Sequence, residues 1–187
     1  MSMTEPTTAP RVGLTAVLLL GAVVALSLGL YGGLHEPANR PLTTLGFSGM
    51  LQMKAWLTTA ATVLLLVQLG SALWMWGRLP GVGGTAPAWL APVHRWGGTA
   101  AFVLTLPVAL HCLWALGFAA GDLRVTVHSI VGCLFYGAYA AKMLALRSRA
   151  LPGWALPVLG GTVLAGLALL WITAALWFFT RSGVPLT

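Results

Sequence analysis

Charged residues are the scarcest component of this 187-residue chain: Asp, Glu, Lys and Arg together make up 7%, whereas hydrophobic residues make up 58%. A soluble domain of ordinary composition has about 25% charged residues. With so little charge, most of the surface must face lipid instead of water. The composition therefore predicts an integral membrane protein and excludes disordered and fibrous classes.

Acidic residues and cysteines are scarcer still, with three Asp+Glu against ten Lys+Arg and two cysteines. The sequence contains no carboxylate pair for acid–base catalysis and no glycine-rich phosphate loop. Its basic residues are scattered at the ends of apolar segments, which is typical of loops flanking membrane spans and excludes nucleic acid as a partner. Cys112 and Cys133 lie in apolar runs, where a thiol behaves as a small hydrophobic side chain, so no disulfide scaffold is expected.

Long apolar runs are what the chain has in abundance. A helix that crosses the hydrocarbon core of a bilayer needs about 20 mostly apolar residues, and none of the runs alternates in polarity as barrel strands do. We therefore expect an all-α bundle forming a single transmembrane domain over residues 1–187, with the first run kept as a span and not cleaved as a signal peptide. The five predicted spans cover about 12–31, 50–76, 94–119, 124–147 and 154–179.

The distribution of Lys and Arg predicts the orientation. With the N-terminus in the cytoplasm, six basic residues fall on the cytoplasmic side and four, including Lys54 and Arg124, on the other. Positively charged loops are retained inside, so we expect the N-terminus in the cytoplasm and the C-terminus outside. Arg outnumbers Lys eight to two, which suggests a GC-rich genome and hence a bacterial plasma membrane.

The histidines are the candidate site, because ionisable side chains at membrane depth are costly and often functional. His111 lies near the end of the third span and His128 near the start of the fourth, equally far from a turn centred near residue 120. In an antiparallel hairpin the two imidazoles then lie at one depth. Two histidines on two helices can bind a haem iron from both sides, so the spacing predicts a haem with His111 and His128 as axial ligands.

Residues around this pair fit a flat, bulky cofactor. Pro107, four residues before His111, removes a backbone hydrogen bond and can kink the third helix away from its neighbour. Gly132 leaves space on the face of the fourth helix that carries His128. Arg124 lies one turn from His128, and we expect its guanidinium to pair with a haem propionate.

Other interpretations stay open. Neighbouring helices pack about 8–10 Å apart, which is too close for this haem unless they splay. If the third helix is diagonal to the first, His35 with His111 is the rival ligand pair; His94 is expected to be mainly interfacial and is a less favoured ligand. The protein could instead be a cofactor-free accessory or assembly subunit of a respiratory complex, or a copper-handling protein that uses Met50 and Met53.

The run His94-Arg95-Trp96-Gly97-Gly98, followed one helix length later by His111, resembles transmembrane cytochromes b of the cytochrome b561 and ferric-reductase-like group. The whole chain is similar to an uncharacterised actinobacterial family of five-span membrane proteins. The resemblance implies a helical bundle that carries haem b and moves electrons between quinol, haem and an acceptor. Two-haem members have a second histidine pair, but the corresponding positions here are Gly97 and Lys142, so only one haem is expected.

Together these observations predict a membrane-bound electron-transfer subunit, at most one part of an oxidoreductase. It would pass electrons between the quinone pool and an external redox protein or larger respiratory complex. The haem would lie near the outer face of the membrane.

Overall fold

The computed structural model describes residues 12–184, and within that range the secondary structure is helical with no strand. Among these residues, five helices are long and apolar enough to cross a membrane, which confirms the predicted fold class and a multi-pass membrane protein. The predicted spans differ from these helices by four residues or fewer at each limit. The helices are α1 (Leu14–Leu34), α2 (Met50–Met75), α3 (Leu90–Leu116), α4 (Leu123–Ala145) and α5 (Ala155–Ser182).

The turn between α3 and α4 is set by two residues. Gly117 ends α3 with a φ of +69°, a backbone conformation that L side chains rarely adopt. Asp122 then caps α4, because its side chain accepts a hydrogen bond of 2.9 Å from the Val125 amide. The two helices are therefore antiparallel, as the predicted hairpin requires.

The helices alternate in direction, so the bundle has two ends. We call the end formed by residues 35–49 and 117–122 the Asp122 end, and the opposite end, formed by residues 76–89 and 146–154, the Lys142 end. The Asp122 end is the one that the charge distribution predicts to be outside.

The helices form a ring in the order α3, α2, α5, α4, α1. Although α3 and α4 are consecutive in the chain, they are not a closely packed pair. The expectation that the third helix is diagonal to the first was wrong: α1 packs along α4 and also contacts the last turns of α3, closing the ring at the Asp122 end.

The position of α1 follows from small residues at its crossing with α4. A Cβ atom on Gly21 would lie 2.9 Å from the Gly137 carbonyl oxygen, and one on Gly137 would clash with the Gly21 carbonyl. Ala25 and Ala141 lie beside these two glycines at the same crossing. Small residues spaced by four let helix backbones approach closely in a membrane, so α1 and α4 are locked together.

Aromatic side chains join α3 and α4 near the middle of the bundle and towards the Lys142 end. Phe102 stacks on Tyr139 with ring centroids 3.8 Å apart, and the Tyr136 hydroxyl donates to the Thr105 carbonyl at 2.9 Å. Pro107 follows inside α3. Beyond it, towards the Asp122 end, a cavity lies between the two helices, as the predicted splaying of the third helix requires.

Candidate functional site: a cavity inside the bundle

The cavity has a volume of about 170 Å³, is partly open, and is lined by side chains of all five helices. An apolar cavity of about 150 Å³ is enough to bind benzene, so the space is that of one six-membered ring. Most of the lining is apolar. The ionisable side chains that line it are those of Lys54, Cys112, His128, Cys133 and Tyr136.

His128 is held in one tautomer by a threonine of α5. Its Nδ1 lies 2.9 Å from Thr173 Oγ1, and the Thr173 hydroxyl gives its single hydrogen to the Leu169 carbonyl at 2.7 Å. With the hydroxyl hydrogen assigned to that carbonyl, Thr173 accepts from Nδ1–H of His128, and Nε2 has the lone pair. Within residues 12–184, no hydrogen bond occupies this Nε2.

Lys54 is the site residue that the sequence analysis missed, because it was counted only as a charge flanking a span. Its side chain is buried, with 9% exposure, and lines the same cavity. His128 lines this cavity as well, so the two side chains face one space. The sequence does place Lys54 inside the second apolar run, and that position could have marked it as a site residue. It lies one turn before Thr58, which also lines the cavity.

Arg124 lies at the entrance to α4 and binds α5. One guanidinium nitrogen donates to the Thr173 carbonyl at 2.7 Å, the group stacks 4.1 Å from the Trp177 ring centroid, and Asp122 is 3.9 Å away. Arg124 therefore fixes the segment that orients His128. Its role towards a haem propionate stays a prediction.

His111 is fully buried and does not line the cavity. Its Nδ1 donates to the Pro107 carbonyl at 2.7 Å, so Nε2 carries the lone pair. That lone pair accepts from the amides of Leu42 at 3.2 Å and Thr43 at 3.4 Å. His111 thus holds residues 35–49 against α3, because Nδ1 is bonded within α3 and Nε2 is bonded to residues 42 and 43. We call this contact the clasp.

Other bonds complete this clasp. The amides of Ala38 and Asn39 donate to the carbonyls of Trp114 and Ala115 at 3.1 and 3.0 Å. His35 Nε2 also donates to the Trp114 carbonyl, at 3.2 Å. His35 and His111 therefore both bind backbone groups across this interface, and the rival ligand pair stays a prediction.

Two π-helical segments border the cavity, one in α3 (His111–Leu116) and one in α5 (Trp171–Leu176). The first contributes Cys112 to the lining and the second contributes Ala174. The second also carries Thr173. Segments of this kind are rare and frequently lie at functional sites, which supports the cavity as the functional region.

His94 lies towards the Lys142 end and links α3 to α2. Its Nδ1 is 2.8 Å from Ser71 Oγ, and the Gln68 amide donates to the His94 carbonyl at 2.7 Å. His94 is not among the residues that line the cavity. Its environment resembles that of His128 in having a hydroxyl on Nδ1.

The residues around the cavity fit a haem only in part. Across residues 12–184, no group of three or more His, Cys, Asp or Glu side chains could hold a metal ion. His128 Nε2 is available to iron, but the lone pair of His111 is taken by the Leu42 and Thr43 amides. The cavity volume also matches a single six-membered ring, whereas a porphyrin contains four linked rings. Haem binding between His111 and His128 would therefore require residues 35–49 to leave His111 and the helices to separate further.

Fold and site together define a five-span membrane protein with a ring-sized cavity between its helices. The chain belongs to DUF6529, a family of unknown function, whose profile matches residues 14–186. No curated protein and no solved structure shows significant similarity to it.

Proposed function

We propose that this protein is a membrane electron-transfer subunit that binds the ring of a quinone or quinol in the cavity. The observation that carries the proposal is that one cavity is lined both by His128, held at Nδ1 by Thr173, and by the buried side chain of Lys54. Both groups line an apolar space of one-ring size inside the bundle. Ligand sites of this kind combine apolar walls with a few convergent polar groups.

The two polar groups match the two states of a quinone. His128 Nε2 can accept a hydrogen bond from a quinol hydroxyl, and Lys54 can donate to a quinone carbonyl. On oxidation, a quinol releases two electrons and two protons. His128 would take one proton, the second would pass to water through the open side of the cavity, and the two electrons would go to an oxidised redox group on a partner protein. We place the protein in a bacterial plasma membrane with the Asp122 end outside, as the charge distribution predicts.

A haem b is the second candidate, and one observation favours it. Histidines that bind metals usually donate their other ring N–H to a nearby acceptor, as His128 does to Thr173. A haem bound there would supply a one-electron carrier. A visible spectrum of the purified protein, recorded before and after dithionite, tests this: a Soret band that shifts on reduction supports haem, and its absence rejects it.

Quinone binding is tested with the whole protein in lipid nanodiscs, using decyl-1,4-benzoquinone and its quinol as ligands in equilibrium dialysis. We expect saturable binding above that of empty nanodiscs. His128→Leu should weaken quinol binding by about tenfold, because a buried hydrogen bond is lost.

The matched control is His94→Leu, which removes a histidine with a similar hydroxyl partner from outside the cavity. This variant should bind both ligands as the wild type does. Binding no greater than in empty nanodiscs, or an equal loss in both variants, would reject the quinone proposal.

A further inference from the structure

We propose that the cavity prefers a ring with an ionised hydroxyl, and that Lys54 binds its anionic oxygen. This inference rests on the proposed function and names the class of quinone: acidic, hydroxy-substituted quinones are favoured over neutral ones. The reason is the positive charge of Lys54, which has no acidic partner among the described residues.

Lys54 lies inside a membrane-spanning helix and is 9% exposed. An ammonium at such a position is expensive to keep charged, and it normally pairs with an acid or with backbone carbonyls. Within residues 12–184, the Lys54 ammonium forms neither a hydrogen bond nor an ion pair with the protein. The histidine that shares the cavity with Lys54, His128, is also a base and supplies no counter-charge.

The acidic residues in the same range are Glu36 and Asp122, and both are exposed. Asp122 is already used, since it caps α4 through the Val125 amide and lies 3.9 Å from Arg124. No carboxylate lines the cavity. The counter-charge for Lys54 must therefore come from the molecule that enters.

Arg124 cannot take this role as it stands, although its charge also acts on His128. Its guanidinium donates to the Thr173 carbonyl and stacks on Trp177. Lys54 is thus the cation that is free to donate into the cavity. With two cations near His128 and no acid in the lining, the site favours an anionic oxygen.

A fatty-acid carboxylate offers the same anionic oxygen, but the site also contains an imidazole lone pair and the volume of one ring. These features suit a ring that carries both an ionised hydroxyl and a second oxygen function. We therefore commit to the hydroxyquinone, and the test includes a carboxylate.

The test compares 2-decyl-1,4-benzoquinone with 2-decyl-5-hydroxy-1,4-benzoquinone, which is ionised at neutral pH, in nanodiscs of zwitterionic lipid. The wild type should bind the hydroxy compound about tenfold more tightly, because a charge-assisted hydrogen bond is added. Lys54→Met should weaken the binding of both quinones, and of the hydroxy compound more, so that the two affinities come within about threefold of each other, while Lys54→Arg should retain much of the preference.

Lys142→Met is the matched control, since it removes a lysine from the opposite end of the bundle, and it should keep the preference. Gel filtration and circular dichroism establish that each variant is folded. Equal affinity of the wild type for both quinones, or a preference that survives Lys54→Met, overturns the inference and leaves the proposed function standing. If neither quinone binds, both are overturned. Decanoate that competes as strongly as the hydroxyquinone shows that a carboxylate, not a ring, is the ligand.

Discussion

The two halves of the bundle are built differently. Towards the Lys142 end, backbones touch at Gly21 and Gly137, and Phe102 stacks on Tyr139. Towards the Asp122 end, α3 and α4 part around a cavity, and two π-helical segments lie beside it. The difference shows that rigid packing and ligand space are separated along the bundle axis, so each half can be changed alone.

The largest effect is expected in the packed half. Gly137→Ala places a methyl group against the Gly21 carbonyl and should destabilise the protein by about 2–3 kcal/mol, since overpacking forces the backbones of α1 and α4 apart. Thermal unfolding in detergent measures this. Gly161→Ala, where nothing lies within 4 Å of the added Cβ, is the control and should be neutral. Equal stability of the two variants would contradict the close contact.

The clasp at the Asp122 end gives the next largest effect. His111→Leu leaves the Leu42 and Thr43 amides without their acceptor, and we expect a loss of about 1–3 kcal/mol. Hydrogen exchange at residues 38–43 should become faster. His35→Leu, which removes a single bond to a half-buried side chain, should have a smaller effect. Unchanged exchange in His111→Leu would show that His111 does not hold this segment.

A substitution that fills the cavity tests the difference between the two halves most directly. Gly132 lines the cavity, and a Cβ there would make an ordinary contact, 3.8 Å from a methyl group of Leu170. Gly132→Leu should therefore keep the fold but lower quinone affinity by about tenfold or more, as its side chain takes the ring's place. The matched variant Gly161→Leu should bind normally in the same dialysis assay. Full affinity in Gly132→Leu would place the ligand elsewhere.

The smallest effect is expected at the boundary between the halves. Tyr136→Phe removes the hydrogen bond to the Thr105 carbonyl, and such a bond in a membrane protein contributes about 0.6–1 kcal/mol. Thermal unfolding should detect this loss, whereas Tyr139→Phe should match the wild type because its Phe102 stacking survives. A larger loss for Tyr139→Phe would mean that its hydroxyl matters more than its ring.

The sequence alone predicts the helices well, because span length and the scarcity of charge are set by the thickness of the bilayer. The sequence does not predict the order of the helices in the ring. The contact between α1 and α4 depends on Gly21 and Gly137 meeting across 116 positions of chain, and nothing local marks two glycines among 23 as partners.

At the site, the sequence predicts the depth of the two histidines in the membrane but not the direction in which their side chains point. The spacing of His111 and His128 places both towards one end, but which way an imidazole points depends on its partners. His111 turns to the amides of residues 42 and 43, whereas His128 turns to Thr173 and lines the cavity. Lys54 was overlooked because a lysine near a span end normally reaches water, and here it is buried.

The π-helical segment of α5 has a consequence for how this helix can change over evolution. A wider turn accommodates one residue more than an α-helical turn, and each residue in an α-helix adds about 100° of rotation. Deleting one residue between Trp171 and Leu176 would therefore restore a regular helix and leave Trp177 near its present angular position, so the change would fall on the wide turn itself, which carries Thr173. Because the Thr173 hydroxyl orients His128, losing one residue from this turn would displace the partner of the cavity histidine while leaving the rest of α5 in place.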